Sequence, residues 1–276
     1  MSGFDRLHPA IQHHVVNSLG WRSLRPLQEQ SIVPLLAGRD ALLIAPTAGG
    51  KTEAAIFPLF SRMLEEGWQG LSILYVCPIK ALLNNLEHRL RRYAELVGRR
   101  VALWHGDVGP SERKRIDRDP PDLLLTTPES IEVILTSMLR DHERIFAGLR
   151  VIVVDELHAF AGDDRGWHLQ FLMERLEGAI HRKLQRVGLS ATVGNPEELL
   201  DSFSTRPSEE RIVVAPLSSD VIKPEIAIDH VGTLANAAIV ISKLHAGEKR
   251  LVFVDSRARC EELAAALREI GVRTFV

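Results

Sequence analysis

Ala45-Pro46-Thr47-Ala48-Gly49-Gly50-Lys51-Thr52 is the stretch that decides the fold. It closes an apolar run, Ala41 to Ala45, and opens a helix-competent one, Glu53 to Leu64. Strand, small-residue turn, helix is the order a phosphate-binding loop requires. Small residues let successive backbone N–H groups curl around phosphate oxygens, and the helix N-terminus adds the positive end of its dipole. Lys51 is then placed to reach the β- and γ-phosphates of a nucleotide, and Thr52 to offer its hydroxyl to Mg2+. Ala45 stands where the usual pattern has its first glycine, a departure of one methyl group. Alone, the stretch marks a nucleotide site and leaves open what the nucleotide is used for.

Working outward, short β-branched runs alternate with amphipathic stretches. The expected strands are Ala41–Ala45, Ser72–Cys77, Arg100–Trp104, Leu123–Thr126, Val151–Asp155, Arg186–Ser190 and Ile212–Val214. Several are apolar almost throughout, as strands buried on both faces of a parallel sheet must be. Between them, Lys51–Glu66, Lys80–Val97, Ser111–Asp117, Ser130–Leu139, Gly166–Arg182 and Asn195–Phe203 carry helical spacing. Leu82, Leu83, Leu86, Leu90 and Ala94 share one face, for example. Pro58 falls inside the first helix and is expected to kink it. The alternation predicts an α/β fold with a doubly wound parallel sheet over residues 1–216.

The pattern breaks at Ala215-Pro216-Leu217-Ser218-Ser219-Asp220, and Lys223-Pro224 reinforces the break, so 217–224 is read as a linker. Residues 225–276 begin a second α/β unit, with strands expected at Glu225–Val231, Leu251–Val254 and Arg273–Val276 and helices at Leu234–His245 and Arg257–Ile270. About fifty residues are too few to bury a stable core alone. The sequence is therefore read as the front part of a longer protein.

Composition bounds the function classes. The 276 residues are 45% apolar and 25% charged, ordinary for a soluble protein. Met1 to Asn17 is polar and broken by Pro9, unlike a signal peptide. No apolar run approaches the ~20 residues that span a bilayer. A cytoplasmic location without membrane contact is the expectation. Cys77 and Cys260 each sit in an apolar run and are read as buried, reduced cysteines. A net charge of −2 offers no whole-molecule argument for nucleic acid. Arginine clusters at Arg89, Arg91 and Arg92, at Arg99 and Arg100, and from Arg113 to Arg118 read as solvated helix faces unless their placement says otherwise.

A second nucleotide signal lies downstream. Val151-Ile152-Val153-Val154 is a buried strand running into Asp155-Glu156-Leu157-His158. Ligands of such sheets bind at the carboxyl ends of strands, so both carboxylates should enter the crevice of the phosphate loop. Asp155 would hold Mg2+, and Glu156 would position and deprotonate the attacking water.

In this order the motifs resemble those of superfamily 2 helicases, over nearly the whole chain, and imply a RecA-like fold. Asp155-Glu156-Leu157-His158 is similar to motif II and the phosphate loop to motif I, with Thr47, Ala48, Gly49, Gly50, Lys51 and Thr52 implied in holding ATP. Arg25-Pro26-Leu27-Gln28 resembles the upstream Q-type element, in which Gln28 would read the adenine edge. Pro78-Ile79-Lys80-Ala81-Leu82 resembles motif Ia, and Thr126-Thr127-Pro128-Glu129-Ser130 motif Ib. These loops grip one nucleic-acid strand in the family. Ser190-Ala191-Thr192 matches motif III, implying coupling roles for Ser190, Thr192 and His158. Leu251 to Arg257 resembles motif IV, at the start of a second RecA-like domain. The implied nucleic-acid contacts are Pro78, Lys80, Gly106, Thr127, Pro128, Glu129 and Arg257. The finer resemblance is to the large-helicase-related (Lhr) branch, on Ala48, Pro128-Glu129-Ser130 and the approach from Gly247 to Phe253. Gly49 departs from the serine expected there and should leave the loop more flexible.

The resemblance implies an ATP-dependent motor that translocates along single-stranded DNA. An RNA helicase or RNA–DNA remodelling ATPase stays open, as does a nucleotide-gated binding module without turnover. A monomer is assumed. Motifs V and VI would lie beyond Val276, so this chain is expected to bind Mg·ATP and turn it over poorly. Arg89, Arg91 and Arg92 follow motif Ia, and Arg113 to Arg115 follow His105-Gly106-Asp107, near loops expected to touch phosphates. Trp104 and His105 either stack on a base or belong to the core. Arg165 and Trp167, just past motif II, have no assigned role.

Overall fold

Seven short strands, β1 (Asp40–Ile44), β2 (Ile73–Val76), β3 (Val101–Trp104), β4 (Leu123–Thr126), β5 (Val151–Val154), β6 (Gln185–Ser190) and β7 (Arg211–Val214), pair into one sheet of order β3-β4-β2-β5-β6-β1-β7. Every pairing is parallel. The computed structural model describes residues 2–138, 140–162, 164–191, 193–216, 225–244 and 246–276. The expected linker, 217–224, and the motif III residue Thr192 lie outside the described residues.

The helices are α1 (Pro9–His13), α2 (Pro26–Leu36), α3 (Lys51–Glu65), α4 (Lys80–Leu96), α5 (Pro110–Arg118), α6 (Pro128–Thr136), α7 (His142–Phe146), α8 (Asp164–Ile180), α9 (Pro196–Phe203), α10 (Leu234–Lys243) and α11 (Arg257–Glu269). Alternation along the strands splits the core into two layers. Leu43, Ile73, Tyr75, Leu125, Val153 and Val187 meet α2, α3 and α4 on one face. Leu42, Leu74, Leu124, Ile152 and Val154 meet α6, α8 and α9 on the other. Strands β1 and β2 thus send their connecting helices to one face, and β4, β5 and β6 to the other. That reversal creates the crevice at the carboxyl ends where such sheets bind ligands.

Register brings the motif-bearing ends together. Ile44 pairs with Ser190, Val76 with Val154, and Thr126 with both Val76 and Trp104. Helix α3 runs from Lys51 to Glu65 as one element with Pro58 inside it.

The chain divides into two compact units, Met1–Leu217 and Ser218–Val276. In the second unit α10 and α11 form, but among its described residues the expected strands Glu225–Val231, Leu251–Val254 and Arg273–Val276 do not. A strand needs a ladder partner, and these runs have none. Ile228, Leu251, Phe253 and Phe275 stay exposed, and the buried core is Ala238, Leu263 and Leu267. Cys77 is buried, with its thiol pushed well above the usual range by burial first and then by Asp155 and Glu156; Cys260 is only half-buried, contrary to expectation.

Candidate nucleotide cleft and the loops beside it

The turn after β1 folds back on itself. Gly50, at φ 81°, caps α3, and Ala48 holds φ 61°, which strains a residue with a Cβ. A Cβ on Gly49 would stand 2.6 Å from the Ala45 Cβ and 2.8 Å from the Pro46 carbonyl oxygen. The packing of the closed turn therefore favours glycine at this position. One on Gly50 would meet the Gln28 amide at 2.5 Å. Gln28 is buried, its Oε1 accepting from the Arg25 N–H at 2.9 Å and its Nε2 donating to the Gly50 carbonyl at 3.4 Å. Arg25 also donates to the Ala48 carbonyl. The Q-type element thus braces the loop from behind.

Lys51 Nζ donates to the carbonyls of Ala45 at 3.0 Å and Pro46 at 3.4 Å, across the mouth of the turn. Opposite it, Asp155 is buried at the end of β5. Burial pushes its carboxyl above the ordinary range and the charge of Glu156 adds to this, while a hydrogen bond from Tyr75, the Glu156 N–H and the charge of Lys51 pull it down. Tyr75, fully buried on β2, donates to Asp155 Oδ2 at 2.8 Å and also meets the Thr52 side chain. Lys51, Thr52, Asp155 and Glu156 all line one cleft of about 670 Å3, together with Gln28, Thr47, Ala48, Gly49, Gly50 and Arg89. The Thr52 hydroxyl and the Asp155 carboxylate are hard oxygen donors joined through one tyrosine, a set that suits Mg2+.

Glu156 takes φ 48° as the strand ends. His158 Nε2 lies 3.5 Å from Glu156 Oε2, and its Nδ1 is 3.1 Å from Ser190 Oγ. One imidazole therefore spans from the second acidic residue to the end of β6.

The strand-gripping candidates gather at the ends of β2, β3 and β4. Lys80 Nζ pairs with Asp107 at 3.0 Å beside Gly106, and the hydrogen bond from Lys80 draws the Asp107 carboxyl below its usual value. Thr127 and Pro128 are buried at the start of α6, with Thr127 Oγ1 3.1 Å from Ser130 Oγ. Burial raises the Glu129 carboxyl, but its own N–H, the Thr127 hydroxyl and Arg165 more than offset this and hold it low. Arg165 bonds both Glu129 and the Pro78 carbonyl. Arg257 lies in the second unit as the exposed first residue of α11.

On this surface the structure decides between the alternatives left open for Trp104 and His105, and corrects part of the expected arginine track. Trp104 is 2% exposed under Arg113 and Arg140, with guanidinium-to-ring distances of 5.9 and 5.0 Å, so it is core and cannot stack on a base. His105 is buried against Asn84, and burial lowers its pKa. Arg113 turns inward to the carbonyls of His105 and Gly106. Arg89 leaves the expected phosphate track altogether: its Nη2 donates to Thr52 Oγ1 at 2.9 Å, and its Nε lies 3.3 Å from Glu53, which Tyr93 also bonds. Tyr75 and Arg89 are the site residues that sequence reasoning missed. A cluster of arginines on α4 was visible, but not which one faced the cleft.

Residues 25–199 match the DEAD/DEAH box helicase model. The chain belongs to the DEAD/DEAH box helicase family. It is 34% identical over 268 residues to the Lhr helicase/probable uracil glycosylase of Mycolicibacterium smegmatis, covering 89% of this chain and 18% of that protein. It is 28% identical to the ATP-dependent helicase Lhr-Core of Methanocaldococcus jannaschii, over 91% of this chain and 32% of that one. The structure of the Mycobacterium smegmatis helicase Lhr bound to ssDNA and AMP-PNP superimposes with a TM-score of 0.81 at 31% identity, over 98% of this chain and 36% of that one. The chain thus spans a third or less of the length of these curated relatives.

Proposed function

We propose that this chain is the ATP-binding motor segment of an Lhr-type helicase, which couples Mg2+-dependent ATP hydrolysis to movement along single-stranded DNA. The observation that carries the reading is the convergence of Lys51, Thr52, Asp155 and Glu156 on one cleft. The likeness to a relative whose structure holds ssDNA and AMP-PNP supports the choice of nucleotide and of strand.

In this reading Lys51 exchanges its bonds to the Ala45 and Pro46 carbonyls for phosphate oxygens, with the loop N–H groups beside it. Thr52 and Asp155 would hold Mg2+, which would offset charge on the nucleotide phosphates. Glu156 orients the attacking water and accepts its proton. The charge it carries is sensed by His158, and the imidazole passes the change to Ser190 at the end of β6. The loops of Pro78, Lys80, Gly106 and Thr127 take the phosphodiester chain, positioning the strand without reading sequence.

Two substitutions test the reading. In the complete protein, Lys51→Ala should weaken phosphate contacts and abolish turnover. Glu156→Gln should retain ATP while stopping hydrolysis; collapse of nucleotide affinity in that variant would remove Glu156 as the base. Side-by-side binding of single-stranded DNA and RNA of the same sequence decides the sugar, and preference for RNA would replace the DNA assignment.

A further inference from the structure

Arg165 stands in the first turn of α8, beyond the nucleotide cleft, and no step of the proposed hydrolysis uses it. Its guanidinium nevertheless joins three elements. Nη2 donates to the Pro78 carbonyl at 2.9 Å and to Glu129 Oε1 at 3.0 Å, and the group lies over the Phe160 ring at 5.5 Å. The backbone beside it leaves no room for a side chain: a Cβ on Gly166 would be 2.0 Å from the Phe160 carbonyl oxygen. Pro78 and Glu129 follow β2 and β4, which are neighbours with Val76 paired to Thr126.

Glu129 poses a physical problem for a strand-gripping surface. Its side chain is 59% exposed, and a carboxylate there repels a phosphodiester chain laid across the same loops. An exposed ion pair by itself contributes little to stability. Arg165, however, is fixed from outside the pair by the Pro78 carbonyl and the Phe160 ring, an arrangement that holds the charge in place whether or not it stabilises the fold.

We infer that Arg165 is a positioning residue for a bound strand: it serves as the fixed counter-ion of Glu129, so that the loops after β2 and β4 can accept nucleic-acid phosphates. This rests on the nucleic-acid reading of those loops.

Anisotropy of a fluorescently labelled oligo(dT) strand, titrated with this chain at low and moderate salt, tests it. Arg165→Ala exposes the carboxylate and should weaken binding about tenfold. Arg165→Lys keeps the charge and should retain most of the affinity. The double variant Arg165→Ala/Glu129→Gln removes the repulsion and should recover binding to within about threefold of the parent, a rescue that also shows the Arg165→Ala chain to be folded. A merely structural role for Arg165 predicts no rescue. If the parent binds and either Arg165→Ala is unimpaired or Glu129→Gln fails to rescue it, the counter-ion role is overturned. If the parent binds no strand at all, the nucleic-acid reading falls and this inference with it.

Discussion

The buried hydroxyl of Tyr75, on β2, donates to Oδ2 of Asp155, at the end of neighbouring β5, across 2.8 Å. Hydrogen bonds to charged acceptors are the stronger ones, and an unpartnered buried carboxylate is costly. Tyr75→Phe should therefore destabilise the first unit by about 1.5–3 kcal/mol in urea unfolding. It should also raise the Mg2+ concentration needed for nucleotide binding, because Asp155 and Thr52 lose their shared partner. Unchanged stability together with an unchanged Mg2+ requirement would show that the bond does not hold the site.

The phosphate loop stores strain at one position and forbids a side chain at the next. Ala48 lies at φ 61°, so Ala48→Gly should stabilise the fold by up to about 1 kcal/mol, the left-handed penalty less the extra freedom of the unfolded chain. Gly49→Ser should act in the opposite sense, since its Cβ would press on Ala45 and Pro46 at 2.6 and 2.8 Å. Thermal melting of the two variants beside the parent gives the signs. A stabilising Gly49→Ser would mean the turn opens more readily than its packing suggests.

How much was legible follows from what kind of signal each part leaves. Strand β4, Leu123–Thr126, fell where its apolar run lies, and α3 began at Lys51 as the loop motif requires, because periodicity and turn chemistry are local. Helix α2 was not among the expected elements; Pro26 is its first residue and Pro34 lies in its last turn. The runs around Ile228 and Phe253 carry strand-like sequence without a partner to pair with, which no local pattern reveals. In the site, Lys51, Asp155 and Glu156 were readable from strand-end motifs. Tyr75 and Arg89 were not, because their roles depend on β2 lying beside β5 and on which face of α4 turns toward Thr52.

Asp40, at the start of β1, gives a pH signature. Burial pushes its carboxyl above the ordinary value, against the opposing Ser204 hydroxyl, the Arg186 N–H and the charges of Arg206 and Arg186. The folded chain therefore holds this proton more tightly than the unfolded chain. Its contribution is greatest at low pH and declines as pH rises through the unfolded value of 3.8 toward the raised folded one, then levels off. In urea melts, the advantage of the parent over Asp40→Asn should shrink across that window. A gap that widened with rising pH would mean the Ser204 and Arg206 contacts outweigh burial.

Arg89 places a cation on the oxygen that Mg2+ would need. Its Nη2 donates to Thr52 Oγ1 at 2.9 Å, while Glu53, locked by Tyr93, holds its Nε. A divalent ion coordinated by the same hydroxyl would face that guanidinium at close range, so the two would compete and Arg89 would set a threshold for the metal. Its side chain is 46% exposed, which screens the repulsion without removing it. Arg89→Gln should lower the Mg2+ concentration for half-maximal binding of a fluorescent ATP analogue by about three- to tenfold. Glu53→Gln, which frees the guanidinium from its anchor, should shift the same midpoint in the same direction by less. A midpoint that stays put or rises in Arg89→Gln would instead make Arg89 a partner of the nucleotide phosphates, since loss of an attractive charge moves the binding curve the other way.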